Sequence, residues 1–393
     1  MPPRPFAELW SASAGAREAV TRADDQTLAR QLAVAAIPAP TGSEGPRAAF
    51  VARQFRAAGL YRVATDAAGN VLGWLGPREG AAVVVCAHLD TVFAADVPHV
   101  VVSKGPRYVG PGIGDNARGL AAVVAIATAL RQHATLLARP VLFAATTGEE
   151  GDGDLRGARH LFGVLGAQAH SAVIVDGPGD DRVVHDAVGA RRYRLHFAGP
   201  GGHSWADSGA PSAVHAAARC AVRLADWPVP TTPRSSLTVA RAAGGSAINA
   251  IASDAWLEVD VRSTSETVLD RLDRELRRIA AASAETETSR GVAGSGRIAV
   301  TVDVIGARPA GSLDARHELV QAAYAATRAI GKEPVPATAS TDANVPLSLG
   351  IPAVAIGAGG DGGGAHTVDE WYDNRGGARG VARALGVIVA AAG

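Results

Sequence analysis

The sequence predicts an α/β protein built on a mainly parallel, open sheet, with a smaller α+β domain inserted into it. Three observations carry that expectation. Short apolar runs end abruptly in polar or glycine-rich residues: Ala82–Cys86 into His88, Val141–Ala145 into Gly148-Glu149-Glu150, Ala172–Val175 into Asp176, and Ala353–Ile356 into a glycine loop containing His366. Runs this apolar suit strands buried on both faces. Amphipathic helical patterns alternate with them, as in Gly45–Ala58, Gly119–Arg131 and Leu313–Ile330, and strand–helix alternation is the signature of a helix-flanked parallel sheet.

The middle of the chain reads differently. Arg191–Phe197 is a half-exposed strand, a helix follows over Pro211–Ala225, and Leu237–Ala242 and Ala255–Val261 are two more strands. A charged helix covers Glu266–Ala281, the polar stretch Ala284–Gly296 is a loop, and Arg297–Ile305 is the last strand. The order β-α-β-β-α-β is the ferredoxin-like arrangement. The expected domains are therefore 1–188 and 307–393 as one sheet domain and 189–306 as the insertion.

Bulk properties exclude several functions. The 38 Lys and Arg balance 38 Asp and Glu, so no global field favours nucleic acid or an anionic membrane surface. No run of about 18 apolar residues suggests a membrane span, and the N-terminus MPPRPFAELWSAS lacks the pattern of a signal peptide. The two cysteines, Cys86 and Cys220, each lie in an apolar stretch and read as buried thiols rather than a disulfide framework. A cytoplasmic protein is the expectation.

Ligands of open α/β sheets bind beyond the carboxyl ends of the strands. His88, Glu149, Glu150 and Asp176 follow such ends, His366 lies in the loop after another, and Asp115 ends the glycine segment Gly110–Gly114. Taken singly, each has an ordinary reading as a cap, a turn or a solvated loop residue. Carboxylates crowded together are costly unless cations join them. Three ligand carboxylates and a hydroxide would balance two Zn²⁺, and two neutral histidines would complete a mixed N/O donor set that also suits cobalt or manganese. In His88-Leu89-Asp90 the aspartate is placed to accept from the imidazole. In Glu149-Glu150 one carboxylate can ligate while its neighbour takes a proton from water. Gly110-x-Gly112-x-Gly114 lacks the last glycine of a dinucleotide fingerprint, and no G-x-S-x-G elbow is present for a serine hydrolase.

The segments Ala87–Val92, Gly114-Asp115-Asn116, Gly148–Gly151, Asp176-Gly177 and Ala365-His366-Thr367 occur in order. Together they resemble the two-zinc metallopeptidase family of peptidase T, carboxypeptidase G, acetylornithine deacetylase and succinyl-diaminopimelate desuccinylase, over about Asp24 to Gly393. The resemblance implies a zinc-peptidase-like catalytic domain with a lid. His88 and Asp176 would hold one zinc, Glu150 and His366 the other, with Asp115 bridging. Glu149 would be the general base and Asp90 would stand behind His88. On the inserted domain His203, in Gly201-Gly202-His203-Ser204, would stabilise the oxyanion, and in dimeric relatives the neighbouring subunit supplies it. Asn249 and Arg262 would hold a substrate carboxylate. Ala252 stands where the family usually has Pro, and Arg118 where relatives often carry Lys.

Four further segments resemble the peptidase-T-like branch: Arg308–Gly311, Ser340–Asn344, Gly153–Arg159 and His366–Trp371. The implied activity is an exopeptidase acting on short peptides. Removal of acyl or carbamoyl groups from amino acids is the alternative within enzymes, and a non-catalytic binding relative the alternative outside them. A homodimer through the lid domain, a small peptide or acylated amino acid as substrate, and no nucleic-acid or membrane partner complete the expectation.

Overall fold

In the computed structural model, which describes residues 4–393, the chain divides into two units. One comprises the residues up to Ala187 together with Ser312–Gly393; the other is Val188–Gly311.

The first unit is a mixed sheet whose centre is parallel. Across it run Tyr61–Thr65, Val71–Leu75, Val141–Thr146, Ala82–His88, Ala169–Val175, Ala353–Ile356 and Arg182–Ala187, with Val335–Ala339 pairing parallel to the last of these. The four strands 141–146, 82–88, 169–175 and 353–356 are mutually parallel, in registers such as His88↔Thr146, Val85↔Val173 and Val354↔Val173. Their carboxyl ends therefore lie along one edge, and that is where the polar residues begin.

Alternation explains the apolar runs. Val83, Val85 and Ala87 face one core, with the helices Ala117–Gln132 and Gly377–Ala392; Val84 and Cys86 face the other, with Arg156–Leu165. Both faces are covered, so polar alternation has no place in these strands. Cys86 and Cys220 are buried free thiols.

Two features of this unit depart from the sequence reading. The helix expected from Leu313 begins at Glu318: Leu313 donates its N–H to the His185 carbonyl as sheet-edge backbone, and the His317 ring caps the helix through the Leu319 N–H. The second feature is a ribbon of three-residue strands, Val102–Lys104, Arg107–Val109, Trp371–Asp373 and Asp361–Gly363. Such short strands leave no periodic signal.

The second unit is a four-stranded antiparallel sheet ordered Ser235–Gly244, Asp254–Ser263, Gly189–Ala198, Ala299–Arg308, with the helices Ala213–Ala225 and Glu266–Arg290 packed on it. Tyr193, Leu195 and Phe197 alternate with half-exposed or exposed residues along their strand, as a sheet with one covered face requires. The expected loop from Ala284 is instead helix as far as Arg290. Its last turns bury Ser283, Ala284 and Glu287, small or charged residues that carry no apolar stripe. Glu287 is held there by Arg219 Nε at 3.0 Å and His215 Nδ1 at 3.1 Å. A two-stranded ribbon, Gly202–His203 against Ala250–Ile251, completes the unit.

Among the described residues no helix is long and apolar enough to cross a membrane.

Candidate metal centre

The four central parallel strands of the first unit each deliver one part of the site. Ala82–His88 ends on the histidine itself, and Val141–Thr146 runs into Thr147–Glu150. Ala169–Val175 is followed by Asp176, and Ala353–Ile356 opens the loop to His366. Asp115 comes from the turn before the helix Ala117–Gln132, where the Asn116 side chain caps the helix through the Gly119 N–H at 3.0 Å.

These residues converge. His88 Nε2 lies 2.8 Å from Asp115 Oδ1 and 3.6 Å from Asp176 Oδ1. His366 Nε2 lies 3.3 Å from Asp115 Oδ2 and 3.0 Å from Glu150 Oε1. Two imidazole–carboxylate–carboxylate trios thus share Asp115, one on each of its oxygens. In each trio the candidate ligand atoms lie within 4.8 Å of one another, and so do those of His88, Glu149 and Glu150. Glu149 and Glu150 are buried.

The donor set fits cations. His88 Nδ1 sits 3.1 Å from the Asp90 carbonyl oxygen, an acceptor only, so the ring proton belongs on Nδ1. The Nε2 lone pair then faces two carboxylates, an arrangement that requires a cation or a second proton. The charges around each group act in the same direction. Burial opposes charge on His88, yet Asp115, Asp176 and Asp90 outweigh it and raise its pKa well above the ordinary value. His366 is raised to about 9, chiefly by Asp115. Burial lifts Glu150 to about 7, with Asp115 adding to it. Burial also acts on Asp115, but the two histidines hold it far below the usual carboxylate range. A nitrogen and two carboxylate oxygens per trio suit a divalent ion of the zinc type, so the residues fit two such ions sharing Asp115.

Three buried carboxylates brace the loops that bring these candidate ligands in, and the first does more than its spacing suggests. The Asp90 carboxylate stands 3.6 Å from His88 Nδ1, too far for a hydrogen bond, because the residue's own carbonyl takes that place. Its oxygens instead accept the N–H groups of Glu149 and Glu150, each at 2.9 Å, and the Thr41 hydroxyl at 2.8 Å. Burial would raise this carboxyl, but His88 and the two N–H donors hold it at about 2.

Glu44 accepts the Gly148 N–H at 3.1 Å and Arg156 Nη2 at 3.1 Å. Glu370 accepts three N–H groups, those of Gly112, Gly114 and Asp115, at 2.8, 2.9 and 2.7 Å. Glu44 also accepts the nearby Gly42 N–H at 2.9 Å, but the bonds by which either glutamate holds a site loop reach about a hundred or more residues away and leave no local signature. Behind the site, Asp342 is fully buried and accepts from the Thr146 hydroxyl at 2.5 Å, with burial raising its carboxyl to about 6. Arg118 is buried as well and donates to the Ala358 carbonyl at 2.9 Å, on the stretch leading to the His366 loop.

The remaining residues singled out in the sequence, His203, Asn249 and Arg262, belong to the second unit. The Gly202–His203 ribbon sets the first two side by side, with the Ser204 N–H on the Asn249 carbonyl at 3.0 Å. His203 is exposed, and its Nδ1 accepts the N–H groups of Trp205 and Ala206 at 3.2 and 3.3 Å. An Nδ1 that accepts leaves the proton of the neutral ring on Nε2, which makes that nitrogen a donor. Arg262 is half-exposed and paired with Asp260 Oδ2 at 2.7 Å.

Fold and site together define an α/β unit with a candidate two-cation centre and an inserted α+β unit, and comparison with known proteins gives the family. The model of peptidase family M20/M25/M40 matches residues 84–390. This chain belongs to that family and is a peptidase or amidohydrolase of it.

By sequence, no curated protein matches it. Among solved structures, it is similar to a tripeptidase from Staphylococcus aureus, at TM-score 0.77 and 22% identity over 94% of this chain and 98% of that one. The aminopeptidase PepT from Bacillus cereus aligns at TM-score 0.76 and 20% identity, over 94% and 99% of the two chains. A dinuclear metal-binding M20 peptidase from Bacillus subtilis aligns at TM-score 0.70 and 16% identity, over 94% and 98%.

Proposed function

We propose that the protein is an exopeptidase that hydrolyses short peptides with two bound zinc ions, one held by His88, Asp115 and Asp176 and the other by Asp115, Glu150 and His366. Cobalt or manganese would suit the same donors. The observation that carries the proposal is the pair of imidazole–carboxylate trios sharing Asp115, with Glu149 buried beside them. Short peptides are supported by the peptidase-T-like segments and by the fold shared with a tripeptidase and an aminopeptidase.

Bound at such a site, two divalent ions supply Lewis-acid polarisation of the scissile carbonyl and a lowered pKa for an attacking water. The side chains do the rest. Glu149 takes the proton of the attacking water and returns it to the leaving nitrogen as the C–N bond breaks. His203, protonated on Nε2, donates to the carbonyl oxygen as negative charge develops there. Asn249 and Arg262 hold the substrate carboxylate, Arg262 exchanging Asp260 for it. The inserted unit serves as lid and as the surface of a homodimer, and the protein works in the cytoplasm.

Metal analysis joined to a substrate panel tests this reading. Di- and tripeptides are compared with N-acetyl, N-succinyl and N-carbamoyl amino acids, with and without chelator. The expected result is about two metal ions per chain and chelator-sensitive cleavage of peptides. Preference for acylated amino acids would reassign the substrate class, and chelator-insensitive turnover would remove the metal mechanism. Glu149→Ala should keep its metal and lose turnover; undiminished hydrolysis by that variant would remove Glu149 from its role.

A further inference from the structure

Asp115 must present one oxygen to each trio, yet it sits at the end of a glycine segment that has little conformational preference of its own. Gly112, with φ of 68°, adopts the left-handed conformation that favours glycine. Gly110–Gly114 has no place in the main sheet and needs external bonds to take one shape. Gln31 Nε2 holds the Ile113 carbonyl at 2.8 Å, but the external acceptors of the segment's N–H groups belong to a single residue. Glu370 Oε2 accepts the Gly112 N–H at 2.8 Å, and Oε1 accepts Gly114 at 2.9 Å and Asp115 at 2.7 Å. The Glu370 main-chain carbonyl accepts a fourth, the Gly110 N–H at 2.8 Å.

Glu370 is also tied to the other ligand loop. It follows His366 closely, its N–H donates to the Thr367 carbonyl at 3.1 Å, and the next residue opens the strand Trp371–Asp373, which pairs with Arg107–Val109. At 2% exposure its side chain has no competing solvent.

We propose that Glu370 is a positioning residue that fastens the Asp115 loop to the His366 loop and so sets the geometry in which Asp115 is shared between two ions. The proposal rests on the two-ion reading of the site. Its distinctive demand is for two acceptor oxygens. A glutamine of the same size keeps one and turns an NH₂ toward N–H groups, so Glu370→Gln must release at least one of the three donors. A second variant displaces the carboxylate without altering it: a Cβ on Gly114 would lie 2.8 Å from Glu370 Oε1.

The test has two arms, both run on the full chain. Amide hydrogen exchange of the peptide covering 110–116 is measured on protein without and with zinc. Zinc affinity is measured by competition with a chromophoric chelator. For Glu370→Gln and Gly114→Ala the expected results are faster exchange confined to 110–116 and a zinc affinity lowered about 10–100-fold, the range typical of residues that orient ligands. Exchange elsewhere should match the native protein, which separates positioning from a general loss of structure.

Unchanged exchange in 110–116, or unchanged zinc affinity in a variant whose exchange did rise, would overturn the proposal. The exchange arm on zinc-free protein reads the fastening itself. If the native chain binds no zinc pair, the metal reading fails, while that arm still decides whether Glu370 holds the loop.

Discussion

Asp90→Asn probes the least expected bond set of the site. The native carboxylate serves three donors on two oxygens, with the Glu149 N–H on Oδ1 and the Glu150 N–H and Thr41 hydroxyl on Oδ2. Asparagine offers one oxygen. If it keeps Glu149, the amide NH₂ faces the Glu150 N–H; if it keeps Glu150, it faces the Glu149 N–H. The Thr41 hydroxyl can rotate and accept, but one main-chain N–H is stranded in a place where Asp90 is fully buried.

A hydrogen bond to a charged group contributes about 1.5–3 kcal/mol, and a stranded buried donor costs about 1–3 kcal/mol. These overlap, so about 2–4 kcal/mol is expected, against about 1 kcal/mol for Thr41→Ala, which removes one donor and strands none. The stranded group belongs to Glu149 or Glu150, so turnover should fall about 10–100-fold.

Denaturant unfolding of the metal-loaded variants and steady-state kinetics on a tripeptide measure both. If Asp90 served only the His88 ring, Asp90→Asn would cost no more than Thr41→Ala, because the Asp90 carbonyl would still hold the ring nitrogen. That result would refute the reasoning.

Two further outcomes follow from groups remote from the site. Burial works against the charge of Glu287, but Arg219, the Ser212 N–H and His215 overcome it and lower its pKa below the ordinary glutamate value. A carboxyl lowered on folding contributes stability above its unfolded pKa, and that stability is lost as pH falls through the folded pKa. Glu287→Gln should therefore flatten the acid limb of stability below about pH 5, where one such group contributes a slope of at most about 1.4 kcal/mol per pH unit; denaturant unfolding from pH 3 to 7 checks it, and a parallel loss in both proteins would exclude Glu287. Burial raises the pKa of both Cys86 and Cys220, the latter to about 12. Native protein should thus resist a thiol reagent while denatured protein takes up two equivalents, and fast labelling of either thiol in the native state would contradict their burial.

How much of this was legible beforehand differs by element, and the reason is the range over which each is determined. Ala353–Ile356 and Val141–Thr146 are visible as apolar runs because a strand covered on both faces must be apolar throughout, a demand each residue meets by itself. The convergence of His88, Glu150, Asp176 and His366 was legible for a related reason: parallel strands bring their carboxyl ends to one edge whatever their order. The helix Glu266–Arg290 was legible only while Leu269, Leu272, Leu276 and Ile279 kept the helical period. Past that point Arg219 and His215, on another helix, decide that Glu287 is buried and the helix goes on.

The chain by itself thus determined the sheet, the insertion and the candidate ligand residues at the strand ends, because periodicity and strand-end position are local properties. Only the tertiary structure decided how those ligands are braced. The Asp90 carboxylate took the backbone N–H groups of Glu149 and Glu150 while its carbonyl kept the imidazole, and Glu370 reached across 255 residues to the N–H of Asp115. Both follow from one requirement: buried N–H groups of irregular loops must be paired, and the acceptor is whichever side chain the fold carries within about 3 Å.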